Sequence, residues 1–258
     1  MDRDQLGDRM KEYETAAQTR LIRRLPVLVR VDGRAFHTLT RKMEKPVDLR
    51  FQACMWETAL ALCEEIQGAR LGYVQSDEIS VLVYERDVRS ESWFGYDRDK
   101  VVSSAATAAT SAFHLAFTEQ FPEIKLRRRG GPKFDARATN YPLHEVVNYF
   151  IWRQQDATRN SVLGLGRKYF SHRQLHQKNI SQVQDLLHAD KSVNWNDCPT
   201  SQKRGACAIK RVRSVKAGDL INGHRARADA IRSEWFIDEN IPIFTQDRYY
   251  IEQHLTLV

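Results

Sequence analysis

Two short stretches of the sequence hold residues that could do chemistry. In LVRVDGRAFHTL, Leu28–Leu39, an apolar run ends in Asp32 and Gly33. In QSDEIS, Gln75–Ser80, Asp77 and Glu78 separate two further apolar runs. A carboxylate at a strand end, followed by a glycine that lets another group approach the backbone, can present a metal or a phosphate. It can equally be an ordinary turn. If the two stretches meet, Asp32, Asp77 and the Gly33 carbonyl make an oxygen-rich site suited to Mg²⁺, which completes its shell with water and substrate phosphates. Two such ions activate a hydroxyl, hold a triphosphate in line and stabilise the leaving pyrophosphate. Arg34, His37, Lys45, Ser76 and Lys100 are the candidates to line those phosphates. Lys100 falls in the first turn of an expected helix, where the macrodipole disfavours a cation and a bound anion would relieve it.

The elements that must position these residues are legible in the hydrophobic pattern. Pro26–Val31 reads as a buried strand. Phe51, Met55, Ala59, Leu62 and Ile66 recur at helical spacing, with Gly68 as the stop. Leu71–Gln75 and Ile79–Tyr84 read as a hairpin. Asp97–Phe117 is a second helix lined with alanines, and Phe134–Tyr141 a fourth strand ended by Pro142. The order β-α-β-β-α-β is the ferredoxin-like unit, with the first and third strands central and both helices on one face. In that topology the end of the first strand, at Asp32, lies beside the start of the third, at Asp77 and Glu78. The expected fold class is therefore α+β: a palm-like catalytic core over residues 1–142, then a mixed, mainly helical elaboration over 143–258 packed on it.

Length, charge and cysteine usage set bounds on this reading. The 258 residues, 42% hydrophobic and 10% aromatic, suffice for a substantial core. No apolar run is long enough to span a bilayer, and the N-terminus lacks the apolar core of a secretory signal, so a cytoplasmic protein is expected. Cys54, Cys63, Cys198 and Cys207 show no zinc spacing and read as free thiols. The net charge of +7 and pI near 9.3 suit a polyanionic partner.

VRVDGRAFH, KPVD at Lys45–Asp48, QSDEIS, WF with a lysine shortly after, FDAR, YP and WRQQD at Trp152–Asp156 recur in an order that resembles the tRNA-His guanylyltransferase family. WNDCPTSQKRG, near Asn196–Gly205, is a weaker echo. The resemblance implies a polymerase-like palm that adds nucleotides to the 5′ end of tRNA, with two Mg²⁺ ions, and with ATP, GTP and other nucleoside triphosphates as substrates. It makes Asp32, Gly33 and Asp77 the metal ligands, and Glu78, Lys45, Asp48 and Lys100 catalytic. It places Arg30, Gly33, Arg34, Phe36, His37 and Ser76 at the nucleotide, and Arg153, Asn160, Lys203 and Arg204 at the tRNA. It also implies a homotetramer.

The sequence departs from the family where members specific for tRNA-His carry HINxxYN. Here Thr158–Gly164 reads TRNSVLG, and only Asn160 matches. Such loss is typical of the guanylyltransferase-like branch, which repairs 5′-truncated tRNA by template-directed 3′-to-5′ addition, and repair is the function expected. Non-templated addition of guanylate to tRNA-His is the alternative. A nucleotidyl cyclase would need a GG(D/E)EF turn where this hairpin reads QSDEIS, and a non-catalytic RNA-binding protein would not need both aspartates. Arg127, Arg128 and Arg129, in a basic turn, are phosphate-contact candidates. GLGRK, Gly164–Lys168, reads as a loop. Ser181 with Gln184 reads as a capping box, and the aromatic tail from Ser233 is expected to dock on the core or on another subunit.

Overall fold

The computed structural model describes residues 5–87, 89–126, 131–216, 220–221, 224–225 and 230–256. A leading helix, α1 (Gln5–Ala16), precedes β1 (Val27–Gly33), the short α2 (Phe36–Leu39) and α3 (Leu49–Glu65). The hairpin of β2 (Ala69–Gln75) and β3 (Glu78–Val83) follows, then α4 (Arg98–Gln120) and β4 (Phe134–Asn140). The C-terminal half holds α5 (Val146–Tyr169), α6 (His172–Leu175), α7 (Ile180–Lys191), α8 (Thr200–Arg204) and β5 (Ala206–Val215). It continues with β6 (Leu220–Ile221), β7 (His224–Arg225), β8 (Ala230–Asp238) and α9 (Tyr249–Glu252).

β1 pairs antiparallel with both β3 and β4, and β2 with both β3 and β5, giving the order β4-β1-β3-β2-β5-β8. The first four strands thus stand as the β-α-β-β-α-β order requires. Strand alternation sends Val27, Val29, Val31, Ile79 and Val81 to one face, where α3 and α4 cover them with Met55, Leu62, Ala105, Ala109 and Phe113. The alanines of α4 let it lie close to the sheet. Leu28, Tyr73 and Leu82 point to the other face, under Val146, Tyr149 and Phe150 of α5 and under Ile241, Phe244 and Ile251 of the tail. The aromatic tail therefore docks on its own core. A third cluster joins Val162 and Leu165 of α5 to Val183 and Leu187 of α7.

The structure corrects two local expectations. GLGRK is the last stretch of α5 rather than a loop. A side chain at Gly166 would come within 2.9 Å of Val183, so the glycine marks where α7 packs on the helix. The capping box lies two residues upstream of Ser181 and Gln184: Asn179 accepts from the Gln182 amide at 2.9 Å, and Gln182 reaches back to the Asn179 amide at 2.9 Å. β5 and β8, which no sequence pattern announced, extend the sheet on the β2 side. The cysteines are free thiols, three of them buried, and burial pushes the Cys54 thiol up to about 12. No helix among the described residues is long and apolar enough to cross a membrane.

Candidate active site

The end of β1 and the β2–β3 hairpin meet as their sequences suggested. Asp32 is the register partner of Glu78 on one side and of Asp135 on the other. The hairpin turns through only two residues, Ser76 and Asp77, with Ser76 at φ 49°. The Gly33 amide donates to the Asp77 carbonyl at 2.9 Å, and the Arg34 amide to the Lys133 carbonyl at 2.8 Å, so the Asp-Gly-Arg turn is tied to both neighbouring strands. Gly33 is compelled by packing: a Cβ there would lie 2.6 Å from the Phe36 ring, which is buried among Phe51, Phe113 and Phe134.

The acids are not equivalent. Glu78 is buried and accepts from Arg153 Nε at 2.8 Å, with Arg30 Nη1 3.9 Å away. Arg153 is itself 6% exposed, reaches Asp156 at 3.1 Å and lies 4.3 Å over the Trp152 ring. No such partner reaches Asp32 or Asp77 among the described residues. Burial raises the Asp32 carboxyl above its ordinary value, and the charges of Asp77, Glu78 and Asp135 raise it further, against the smaller effect of Arg30. Ser76 Oγ donates to Asp77 Oδ1 at 3.0 Å.

A cavity of about 240 Å³ opens on the other side of the hairpin tip. Lys45 and Asp48, from the segment between α2 and α3, line it together with Ser76, Asn160, Ser161 and Trp195. Lys45 Nζ donates to the Thr40 carbonyl at 2.8 Å. Asp48 caps α3, accepting from the amides of Arg50 and Phe51, and also takes the Glu44 amide at 3.3 Å. Ser161 Oγ accepts from Trp195 Nε1 at 3.0 Å, which joins α5 to the segment before α8.

Asp32, Gly33, Arg30, Ser76, Asp77 and Glu78 are thus gathered at one end of the sheet, with Lys45, Asp48 and Asn160 on the adjoining cavity. Arg34 and His37 are exposed just beyond β1. Lys100 is not brought there. The start of α4 is held to the segment leading into β1, by Arg98 N to Thr19 O at 2.9 Å, whereas Thr110 of the same helix accepts from Phe134 N at the end that carries the acids. Ten helical residues separate Lys100 from Thr110, about 15 Å. The Phe36 ring is enclosed in the core, and the Arg153 side chain is buried and held by its ion pairs. Lys203 Nζ donates to the Asn196 carbonyl at 2.6 Å, and the Arg204 carbonyl accepts from Tyr73. Arg127, Arg128 and Arg129 lie outside the described residues. Sequence reasoning missed Asp135, although the alternation in FDARATN would have placed it opposite Asp32 once β4 was paired with β1.

A family model for tRNAHis guanylyltransferase, Thg1, matches residues 7–142, which include every acid of the cluster. The chain belongs to this family. Thg1 enzymes are nucleotidyltransferases, and so is this one. It is 40% identical to a bacterial tRNA(His) guanylyltransferase (Thg1)-like protein solved in complex with ATP, with a TM-score of 0.85 over 98% of this chain and 100% of that one. A bacterial Thg1-like protein in complex with GTP gives 38% identity and a TM-score of 0.79 over the same shares. The tRNA(His) guanylyltransferase of Schizosaccharomyces pombe is 31% identical over 78% of each chain.

Among the described residues no group of three or more His, Cys, Asp or Glu side chains is disposed to hold a metal by itself. The donor set is nonetheless of the kind Mg²⁺ takes, one or two carboxylates with the remaining positions left to water and phosphates. The mutual repulsion that raises Asp32 is what a divalent cation would offset.

Proposed function

We propose that this Thg1-family protein repairs the 5′ end of tRNA by template-directed 3′-to-5′ nucleotide addition on a palm-like sheet. The observation that supports it most is the contrast within the acid cluster: arginines neutralise Glu78, while among the described residues no ion pair reaches Asp32 or Asp77 beside the Gly33 carbonyl. These three would hold two Mg²⁺ ions. Bound there, the ions would lower the pKa of the attacking hydroxyl and balance the charge of the triphosphate. The chain's own part is to place the reactants. Lys45 supplies a cation at the rim of the cavity, and Ser76, shared between the cavity and Asp77, sets the distance between nucleotide and carboxylates. His37 and Arg34, exposed beyond β1, are disposed to meet phosphates.

The ATP and GTP of the two bacterial neighbours favour both nucleotides as ligands here. Repair is favoured over guanylate addition to tRNA-His because the α5 segment that replaces HINxxYN turns Val162 into the core and offers the cavity Asn160 and Ser161, with no imidazole. Base choice then falls to the template strand. The same reading includes a homotetramer acting in the cytoplasm, with residues 1–142 as the catalytic unit.

The test supplies Mg²⁺, labelled triphosphates and a tRNA lacking its first nucleotide. Changing the opposing template base from C to A should switch incorporation from G to U. Addition of G whatever the template, strongest on intact tRNA-His, would overturn the repair reading and favour the alternative.

A further inference from the structure

α5 covers only part of its sheet face. On β4 the burial alternates, with Asp135, Arg137 and Thr139 exposed and Phe134 and Ala138 buried against the other layer. Across the register Asp135 pairs with Asp32 and Arg137 with Arg30, and these two β1 partners are half-buried. A floor of two arginines and two aspartates, open at the β4 edge and half-buried at Arg30 and Asp32, therefore runs from the edge of the sheet to the foot of α5.

Trp152 stands on α5 beside that floor. It is 47% exposed, whereas Trp56, Trp195 and Trp235 are half-buried and Trp93 is buried. Its ring is nevertheless fixed. The Arg153 guanidinium lies 4.3 Å from its centroid, the Arg30 guanidinium 5.9 Å, and Tyr149 meets it edge-on at 5.8 Å. Arg153 is pinned in turn by Glu78, and Tyr149 by Ser80 at 2.8 Å. A large flat apolar ring held this firmly and left half in water suits a flat ligand. Arg30 Nε is buried without a hydrogen-bond partner among the described residues, a donor set beside the same ring. Among the described residues the Arg137 side chain, across the floor, pairs only with Asp135, at 3.8 Å with both side chains half exposed.

An aromatic face flanked by guanidinium donors recognises unstacked bases and their phosphates. The end of an RNA helix presents both at once: the exposed face of a terminal base pair and the phosphates beside it. We propose that Trp152 is the platform on which the terminal base pair of the tRNA acceptor stem stacks, with Arg30 and Arg137 taking the adjoining phosphates. This rests on the proposed action at the tRNA 5′ end. It adds the residue that sets the height of that end above Asp32 and Asp77, since Trp152 lies against Arg30, two residues before Asp32 on β1, and is coupled to the hairpin through Arg153 and Glu78.

The experiment places 2-aminopurine in the terminal pair of a tRNA lacking its first nucleotide and titrates the full chain without triphosphate. Wild-type protein should quench the probe. Trp152→Phe, which keeps a flat face, should retain most of the quench. Trp152→Leu, which fills the same space without a π-face, should lose it and bind tRNA about tenfold more weakly. The salt dependence of binding should be unchanged, because stacking releases no counterions. In turnover, the KM for tRNA should rise while that for the triphosphate stays put. Wild-type quench and affinity in Trp152→Leu would overturn the assignment. So would a change in sedimentation mass with tRNA affinity intact, which would make Trp152 a contact between copies. Because the quench needs no catalysis, a protein that stacks RNA but adds no nucleotide would refute the proposed function and leave the platform standing.

Discussion

At the scale of single residues, the acid cluster opposes the fold it sits in. The folded-state pKa of Asp32 is raised above its ordinary value, so that carboxyl binds its proton more tightly in the native protein. Its contribution to stability is present at acid pH and is lost as pH rises through the raised value. Near neutrality and without metal, Asp32→Asn should therefore raise the melting temperature while abolishing nucleotide addition, and Asp77→Asn should abolish it likewise. Calorimetry and the addition assay check the two halves separately, and near-normal turnover in either variant would remove both residues from the metal site. Arg153 should behave in the opposite way. Arg153→Met strands Glu78 as a buried charge, and breaking such a pair by removing one partner costs about 3–5 kcal/mol. Denaturant unfolding should show a loss of that size, largely recovered in Arg153→Met/Glu78→Met. A small loss would mean that Glu78 finds other partners.

At the scale of elements, Asp48 holds two posts that substitution can separate. As the cap of α3 it accepts from two backbone amides, and as a wall of the cavity it presents a charge beside Lys45. Asp48→Asn should keep the cap, because asparagine serves as well there, whereas Asp48→Ala should lose about 1 kcal/mol of stability. If Asn restores stability but turnover stays low, the charge matters to the chemistry; if Asn restores both, Asp48 is a cap alone. The elements also show what the sequence could and could not convey. The strand order and the meeting of Asp32 with Asp77 follow from alternation and chain order, both local properties. The fate of Glu78 does not, because its partner Arg153 lies 75 residues away on a helix whose rotation only packing decides. GLGRK misled for a related reason: two glycines look like a loop until Val183 is seen to occupy the space at Gly166. Lys100 is expected at the phosphates from its first-turn position, yet the topology that joins Asp32 to Asp77 also ends β3 at the opposite edge, where α4 starts, as the bond from Arg98 to Thr19 shows.

At the scale of the whole molecule, the two halves share one sheet and one pair of cores. β5 pairs with β2 through Ala206, Cys207 and Ala208, and Ala206 and Ala208 pack with the residues under α3 and α4. Cys207, Phe244 and Ile251 close the opposite face over Leu71, Tyr73 and Leu82. A fragment of residues 1–142 holds every acid of the site, yet its β2 edge would have free amides and carbonyls and its second face would be bare. Such edges recruit other chains. The fragment should therefore elute as aggregates where the full chain does not, and a well-behaved monomer would show that the first half folds independently. The same pairing sets a schedule for synthesis. The Tyr73 hydroxyl reaches the Arg204 carbonyl across 131 residues, so a ribosome must run on for about ten seconds after making β2 before its permanent neighbour exists. Throughout that interval the nascent sheet has an open flank in the crowd of other growing chains.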